Sequence, residues 1–566
     1  LKYALKLKPD YPDSLNNLGV LLQEKGELEE AILSYQKAID CNKNFVDAYI
    51  NLGNVYQIQG KDNKAIDIYE KALKYKPNSP ETFLKIGNSY KNKGEKNLAI
   101  SAYQTAIKLK KDFVDAHNNL GALYHDESEL DLAISSYNEA LKYKPNDAKS
   151  YNNLGITLRK KGDLEAAIES YKKAIKYKTN FAEAYFNLAI SLKDKGSIDN
   201  AISSYNNAIL SRENFTDALI NLGNILRYYS NEKEAISTYK RALISSKKSN
   251  EILYNISLTN LLYGNYKDGW IGYEYRFKKT IPVIPHALPK VSRFEGENLN
   301  KNNKLVVVSE QGLGDTIQFM RFIPYLRQKG YIVSFCAQKK LLDLIKFSGI
   351  ISEPIDPSQT NKIKKGNWIP LLSLPRLINV TPENPLISEP YIRSDKKLTK
   401  KWKNILSNEK LPIIGINWQG NPDAEKNSLK GRSMPLEIFS KIARNHSFKF
   451  LSLQKGFGSE QLENCSFKDK FVSCQDQINK TWNFVETTSI IDNCDIIFTT
   501  DTYVAHLAGA MGKPTWCLLH SEPDWRWGKT GQETFWYPSL KLFRQKNPMN
   551  WTEVVDAINI KLNLIF

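Results

Sequence analysis

The stretch DAYINLGNVYQIQGKDNKAIDIYEKALKYKPNSP, residues 47–80, decides the fold of the N-terminal half of the chain. The pattern of this stretch repeats along the chain, with a small residue every 34 positions. That residue is glycine in six copies, Gly19, Gly53, Gly87, Gly121, Gly155 and Gly223, and it is Ala189 and Ser257 in two further copies. A small side chain at that position lets two helices cross closely. The apolar residues around Gly53, including Leu52 and Tyr69, have the spacing of two amphipathic helices, so each copy predicts a helix–turn–helix unit.

The period of 34 residues, with the pattern A-Y-x-N-L-G-x-x-Y followed by A-I-x-x-Y-x-x-A-I/L, resembles the tetratricopeptide repeat. The resemblance covers residues 1–277 as about eight copies, of which the first is truncated. Each unit buries its apolar face only against its neighbours. We therefore expect an α-solenoid, a superhelix of stacked repeats with a concave groove.

A column of asparagines is expected to face this groove. An asparagine stands two positions before the small residue in seven copies, with Lys85 as the exception: Asn17, Asn51, Asn119, Asn153, Asn187, Asn221 and Asn255. A carboxamide donates and accepts, so it can hold a peptide backbone of any sequence. The column resembles the asparagine ladder of O-GlcNAc transferase, which implies a protein partner or substrate in the groove. The alternative is that asparagine is a common consensus residue at this position.

The texture of the chain changes after the repeats. An aromatic cluster in GNYKDGWIGYEYRFKK (264–279) is interpreted as a cap that seals the solenoid onto the next domain, and residues 278–303 form a proline-rich linker. Beyond residue 304, short apolar runs alternate with helical patterns at 315–329, 338–348, 435–445, 484–493 and 502–511. The predicted strands are 305–309, 331–336, 413–418, 448–453, 495–500 and 514–519.

This alternation predicts βαβ units and parallel sheets. A second proline-rich passage, 375–412, divides the region. We therefore predict two Rossmann-like halves that face each other across a cleft, residues 304–390 and residues 391–566. The glycine fingerprint of dinucleotide-binding folds is absent.

Three segments carry a second resemblance. QGLGDTIQFMRFIPYLRQKG (311–330), WQGNPDAEKNSLKGRSMPL (418–436) and TDTYVAHLAGAMGKPTWCLL (500–519) resemble the heptosyltransferases, glycosyltransferase family nine. The resemblance covers about residues 304–562. It implies the GT-B fold, a nucleotide-sugar donor and inversion at the anomeric carbon. Residues 304–390 would then be the acceptor half and residues 391–566 the nucleotide-sugar half.

The glycine-rich turn SEQGLGDTIQF (309–319) is expected to contribute a base. A carboxylate in a phosphate cradle would repel its ligand, so the turn is assigned to the acceptor half. Gly312 and Gly314 let the backbone approach the cleft, and Asp315 deprotonates the acceptor hydroxyl. The alternative role of Asp315 is that of N-cap of the helix that follows.

The donor diphosphate is expected to bind in the second half. Backbone N–H groups of a helix that begins near Thr502 attract an anion, and His506, one turn later, donates to a phosphate oxygen. Asp501 caps the helix or holds a ribose hydroxyl. By resemblance, Asp501 and His506 match the D-x-x-x-x-H donor motif of the family. Arg432 matches its phosphate-binding basic residue, in a loop that also contains Lys426 and Lys430. The alternative is that this loop is simply solvated and disordered.

The predicted function is that of an inverting, metal-independent glycosyltransferase, with a nucleotide-sugar as donor substrate and a glycan or protein hydroxyl as acceptor. The repeats recruit a protein partner or substrate. Two alternatives stay open: a non-catalytic repeat scaffold with a degenerate nucleotide-sugar-binding domain, and a protein O-glycosyltransferase. The six histidines and six cysteines show no ligand spacing, so no metal and no cofactor is expected.

Bulk properties limit the class of partner. The net charge of +18 reflects a lysine- and asparagine-rich composition or an acidic ligand such as a nucleotide diphosphate. No basic run with interleaved aromatics indicates nucleic acid. No apolar run is long enough for a transmembrane segment, and peripheral membrane association stays open. Scattered cysteines favour reduced thiols and a cytoplasmic location.

Overall fold

A computed structural model describes residues 10–296, 301–302, 304–427 and 431–564. The chain divides into two compact units, the first ending at Ala218 and the second beginning at Leu219. The division falls inside the predicted repeats. The last repeats therefore belong to the same compact unit as the sheets.

The first unit is built from pairs of helices, as the repeat period predicts. The truncated copy expected at the N-terminus begins at residues 1–9, which lie outside the described residues. The pairs are Pro12–Glu24 with Leu28–Cys41, Val46–Ile58 with Asp62–Tyr75, Pro80–Asn92 with Lys96–Leu109, Val114–Asp126 with Leu130–Tyr143, Ala148–Lys161 with Leu164–Tyr177, and Ala182–Asp194 with Ile198–Ser211.

A glycine–tyrosine contact closes each helix pair that carries a glycine. A Cβ added to Gly53 would lie 2.4 Å from Cε1 of Tyr69, and one added to Gly155 would lie 2.6 Å from Cε1 of Tyr171. Both tyrosine rings are buried. The expectation that a small residue permits a close crossing of helices is therefore confirmed. The hydroxyl of Tyr69 donates to Oδ1 of Asn54 (2.9 Å), which satisfies the polar end of the buried ring.

The second unit begins with two further helix pairs. Thr216–Tyr229, which crosses the division, is followed by Glu232–Ser245, and Ser249–Leu262 by Tyr266–Tyr273, which continues as the 3-10 turn Glu274–Phe277. In the aromatic cluster at the end, Trp270 and Tyr273 are buried, whereas Tyr275 and Phe277 are half-buried. Trp270 donates from Nε1 to the carbonyl of Val380 (2.8 Å), and its ring packs edge-on against Trp525 at 5.2 Å.

A buried ion pair joins this turn to the first sheet. Both side chains of Arg276 and Glu310 are fully buried. Arg276 donates from Nη2 to Oε1 of Glu310 (2.8 Å) and from Nε to Oε2 (3.0 Å), a bidentate pair. Leu372 N–H donates to the same carboxylate (3.1 Å), and Ser373 accepts from Arg276 (2.9 Å).

Two parallel sheets follow. The first has the order β2-β1-β3, formed by β1 Leu305–Val308, β2 Val333–Cys336 and β3 Asn367–Pro370. The second has the order β5-β4-β6-β7-β8, formed by β4 Ile413–Asn417, β5 Lys449–Ser452, β6 Ile496–Thr500, β7 Thr515–Leu519 and β8 Leu540–Arg544. Every strand pairing is parallel. All six predicted strands are present, and β3 and β8 are additional.

Helices connect the strands. They are Leu313–Phe319, Phe322–Gln328, Leu342–Phe347, Leu374–Leu377, Lys396–Ile405, Pro422–Asn427, Ser440–Asn445, Gln461–Asn464, Gln475–Asn479, Phe484–Asp492, Tyr503–Ala510 and Trp551–Leu562. The single helix expected at 315–329 is two helices. Pro324 has no N–H to donate to the carbonyl of Met320, so an unbroken helix cannot continue through it.

The stretch expected as a proline-rich linker lies against the first sheet. Phe294 N–H donates to the carbonyl of Trp368 in β3 (2.8 Å), and Trp368 N–H donates to the carbonyl of Ser292 (3.0 Å). His286 N–H donates to the carbonyl of Ser309 at the end of β1 (3.0 Å). The described part of the stretch thus contributes to the sheet edge instead of running free.

Candidate active site

The candidate site is built from loops at the carboxyl ends of parallel strands. In the second sheet β4 and β6 are neighbours, and their last residues lead into Trp418 and Asp501. In the first sheet β1 leads into the turn that contains Asp315. Ligands of open α/β sheets bind at such ends, so this is where the sequence-predicted residues should meet.

Asp315 occupies the first turn of a helix, but not as its N-cap. The helix Leu313–Phe319 begins two residues before Asp315, so Gly312 is the N-cap and the expectation for Asp315 is corrected. The Asp315 carboxylate accepts from the N–H of Gly312 at Oδ2 (2.8 Å). Backbone N–H groups without an intrahelical partner explain why the turn needs a carboxylate here.

The second oxygen of Asp315 pairs with an arginine that the sequence analysis did not identify. Arg526 donates from Nη2 to Oδ1 of Asp315. It also donates from Nε to Oε1 of Gln318 (2.9 Å) and from Nη1 to Oδ1 of Asp524 (2.7 Å). Burial raises the pKa of Asp315, and the neighbouring Arg526 is the strongest opposing influence.

The segment of Arg526 also contains a group of aromatic residues. Trp525, Trp527, Trp536 and Tyr537 are all buried, so these rings pack within the protein. One feature of the sequence could have identified Arg526 as a site residue: it lies in the loop after β7, at the same end of the sheet as Asp501. An arginine between two tryptophans at this place is expected to be buried, and a buried guanidinium needs carboxylate partners.

His506 is held from three sides. Its ring stacks on Trp527 with centroids 5.3 Å apart, and Nδ1 lies 3.1 Å from the hydroxyl of Tyr537. Gly314 lies beside it, because a Cβ there would stand 2.8 Å from Cδ2 of His506. Gly314 therefore permits a contact between two helices. Burial, with nearby Arg526 and Arg321, holds the pKa of His506 well below its usual range, so the imidazole is neutral.

Thr502, not Asp501, caps the helix Tyr503–Ala510, which corrects the expected cap. Its Oγ1 accepts from the N–H of Val504 (3.3 Å) and donates to Oδ1 of Asn417 at the end of β4 (2.8 Å). Asp501 is buried beside this cap. Burial, followed by the nearby Asp524, raises the pKa of Asp501 to about 6.

Arg432 lies folded onto the loop after β4. A Cβ added to Gly420 would stand 2.2 Å from Nη2 of Arg432, so the guanidinium packs directly on this glycine. Its Nε lies 3.7 Å from Oε1 of Glu425 and is buried, with no hydrogen-bond partner among the described residues. Ser433, next to Arg432, accepts from the N–H of Gly420 (2.9 Å). Lys430 lies outside the described residues, and the side chain of Lys426 is likewise not described.

Asp315 is thus linked through Arg526 to Asp524, and the neighbouring Gly314 lies against His506. Arg432 acts electrostatically on both Asp501 and His506, lowering the pKa of each. The result is two guanidinium groups, a neutral imidazole and a helix N-terminus around buried carboxylates. Arg432, the imidazole and the helix N-terminus can hold an anion, while Arg526 keeps the Asp315 carboxylate in place.

The asparagine column is partly engaged in contacts between repeats. Asn51 donates to Oδ1 of Asn16 (3.0 Å), Asn119 donates to Oδ1 of Asn88 (2.9 Å), and Asn187 donates to Oδ1 of Asn152 (3.0 Å). These three carboxamides therefore link adjacent repeats. Asn17 is exposed, whereas the other members are half-buried: Asn51, Asn119, Asn153, Asn187, Asn221 and Asn255.

Two further properties concern the described residues only. No group of three His, Cys, Asp or Glu side chains among them is arranged to hold a metal ion. No helix in the described ranges has the length and apolar character needed to cross a membrane.

Comparisons with known proteins concern mainly the repeats. Sequence models described as "TPR repeat" match residues 21–60, 87–127, 123–161 and 157–196. Models described as "Tetratricopeptide repeat" match residues 46–79, 1–32 and 182–215. The curated protein FlbA of Caulobacter vibrioides is 22% identical over 319 residues, 51% of this chain and 51% of that protein. The chain thus spans about half the length of this relative.

Solved structures with repeats are also similar. MamA is 30% identical and is covered to 96% by 29% of this chain, with a TM-score of 0.27. YrrB, described as a TPR protein with an unusual peptide-binding site, is 27% identical, with 32% of this chain and 94% of YrrB covered and a TM-score of 0.27. From the helix pairs and the matches of the family models, the N-terminal part of the chain is a solenoid of tetratricopeptide repeats.

Proposed function

We propose that the α/β part is an inverting, metal-independent glycosyltransferase of the GT-B fold, similar to the heptosyltransferases, and that the repeats recruit a protein partner or substrate. The observation that carries the proposal is a pair of contacts between the helix that follows β1 and elements of the second sheet: Asp315 pairs with Arg526, and Gly314 lies against His506. A base and a diphosphate site on opposite sheets are what glycosyl transfer needs.

In the proposed reaction Asp315 takes the proton of an acceptor hydroxyl, whose oxygen then attacks the anomeric carbon of the donor. The bond from that carbon to the diphosphate oxygen breaks. Arg432 and the N-terminus of the helix Tyr503–Ala510 offset the charge that develops on the leaving diphosphate. His506, as a neutral imidazole, donates one hydrogen bond to it. No cofactor enters this scheme, and the nucleotide-sugar is a substrate.

The test is a panel of nucleotide-sugars with the full chain, scored for donor hydrolysis and transfer. We expect turnover with at least one donor and no loss of it on addition of a chelator. Asp315→Asn should abolish transfer while donor affinity, measured by calorimetry, stays within about threefold of the parent, because a base acts only in the transition state. A collapse of donor affinity would make Asp315 a binding or structural residue.

The second candidate is a repeat scaffold whose α/β part binds a nucleotide-sugar without turnover. It is supported by the engagement of both Asp315 oxygens, one by Gly312 and one by Arg526. Retained nucleotide binding with no turnover of any donor would favour this scaffold. Transfer to a protein side chain, the other alternative, differs only in the acceptor and would appear as a mass increase on a partner protein.

A further inference from the structure

We propose that Arg526 is the residue that positions Asp315, and that the last two repeats hold Arg526 in place through residues 520–529, here called the strap. The inference rests on the proposed function, in which Asp315 is the base. It assigns to the last repeats a part in building the site, in addition to recruiting a partner.

The middle of the strap touches two candidate site residues. The Arg526 guanidinium is fixed by three acceptors, on Asp315, Gln318 and Asp524. Because Gly312 holds the other oxygen of Asp315, both carboxylate oxygens have defined partners. The next residue, Trp527, stacks on His506. A shift of the strap therefore moves the surroundings of Asp315 and His506 together.

Both ends of the strap are bound to the last repeats. At one end, Ser521 Oγ lies 3.1 Å from the hydroxyl of Tyr229, in the helix Thr216–Tyr229. At the other end, Lys529 N–H donates to the carbonyl of Leu262 (3.1 Å), and its Nζ donates to the hydroxyl of Tyr263 (3.1 Å).

Between these ends, Trp525 packs edge-on against Trp270 and Tyr273 of the last helix pair, at 5.2 and 5.8 Å. The repeats thus fix the strap on each side of Arg526.

The charge of Arg526 gives this placement a chemical consequence. A buried carboxylate without a cation nearby takes up a proton at higher pH and is then unable to accept one from a hydroxyl. Among the influences that lower the pKa of Asp315 and so oppose the effect of its burial, Arg526 is the strongest. Its removal should therefore affect the protonation of Asp315 as well as its position.

The first test is the pH profile of kcat/KM, measured with a donor identified in the nucleotide-sugar panel. In Arg526→Gln we expect the acidic limb to move to higher pH and kcat at neutral pH to fall at least about tenfold. Arg526→Lys keeps the charge and should return the limb towards its original position. An unchanged limb in Arg526→Gln would overturn the positioning role, since a merely structural loss lowers activity without moving the limb.

The second test needs no turnover. Hydrogen exchange of the full chain, resolved by mass spectrometry, is compared for Tyr229→Phe, Lys529→Met and the matched control Lys441→Met, whose Nζ pairs with Asp556 on the surface. We expect exchange at residues 313–319 to be about fivefold faster in the two strap variants, the effect of losing one hydrogen bond, and unchanged in the control.

Equal exchange at residues 313–319 in all three variants would overturn the coupling through the strap. The two failures are distinguishable. If no donor is turned over, the proposed function fails, while hydrogen exchange still decides whether the strap links the last repeats to the helix of Asp315.

Discussion

Gly314 of the helix Leu313–Phe319 lies directly against His506 of the helix Tyr503–Ala510. A Cβ at Gly314 would stand 2.8 Å from Cδ2 of the histidine ring and 3.4 Å from Cα of Tyr503. At Gly314, the helix that follows β1 therefore lies against the helix that follows β6 with no room for a further side chain between them. The missing side chain sets the distance between Asp315 and the donor-side residues.

Gly314→Ala should consequently destabilise the protein by about 1–3 kcal/mol through overpacking. The measurement is the midpoint of urea unfolding of the α/β part. In a His506→Ala background the ring that the new methyl meets is gone, so the same substitution should cost clearly less. Equal costs in both backgrounds would show that another contact accounts for the effect.

The buried Arg276–Glu310 pair predicts a large and asymmetric effect. Arg276→Met leaves Glu310 as a buried carboxylate without its partner and should cost about 3–5 kcal/mol. The surface pair of Lys441 and Asp556 is the matched control, and Lys441→Met should cost at most about 1 kcal/mol. The comparison is made by thermal unfolding monitored by circular dichroism.

The double variant Arg276→Met/Glu310→Leu tests whether the cost of Arg276→Met comes from the unpaired charge of Glu310. It should be more stable than Arg276→Met alone, because no unpaired charge remains buried. If Arg276→Met costs as little stability as Lys441→Met, the Arg276–Glu310 pair does not anchor the last repeat to the first sheet.

The glycine–tyrosine contact predicts the outcome of Gly155→Ala in the repeats. Alanine is better than glycine in a helix by about 1 kcal/mol, but the new Cβ would stand 2.6 Å from the buried ring of Tyr171. Overpacking costs about 1–3 kcal/mol, so we expect a net loss of stability in thermal unfolding. Ala189 already carries a methyl at this position, and Ala189→Ser should be close to neutral. A stabilised Gly155→Ala would contradict a tight crossing.

The regular parts of the fold could be predicted because they depend on local spacing. A small residue every 34 positions requires the same helix crossing each time, and the run Ile496–Thr500 is buried along its whole length in a parallel sheet. β3 and β8 were missed for physical reasons. β3 ends at Pro370, and β8 lies at the sheet edge, where only its Leu540 and Leu542 are buried.

The site was harder to predict because its contacts join residues distant in sequence. Asp315 and Arg526 are 211 positions apart, and no local pattern pairs them. The predicted N-caps differ from the observed ones by one residue, Asp501 instead of Thr502, and by three residues, Asp315 instead of Gly312. The reason is that N-cap side chains alone do not fix where a helix begins. Asp501 was assigned to the cap, whereas Thr502 makes that contact and Asp501 is left buried beside Asp524.

The buried Asp501 makes stability depend on pH in a direction opposite to that of a salt-bridged carboxylate. Its pKa is about 6 in the folded protein and near 3.8 in the unfolded chain, so between these values the folded state binds more protons. Stability from this group is therefore present at low pH and is lost as pH rises through that window. Asp501→Asn removes the titration. Wild type should thus gain on the order of 2 kcal/mol relative to Asp501→Asn as pH falls from about 6.5 to 4, measured by urea unfolding at each pH. Parallel stability curves for the two proteins would mean that Asp501 stays ionised, with Arg432 and Arg526 outweighing its burial.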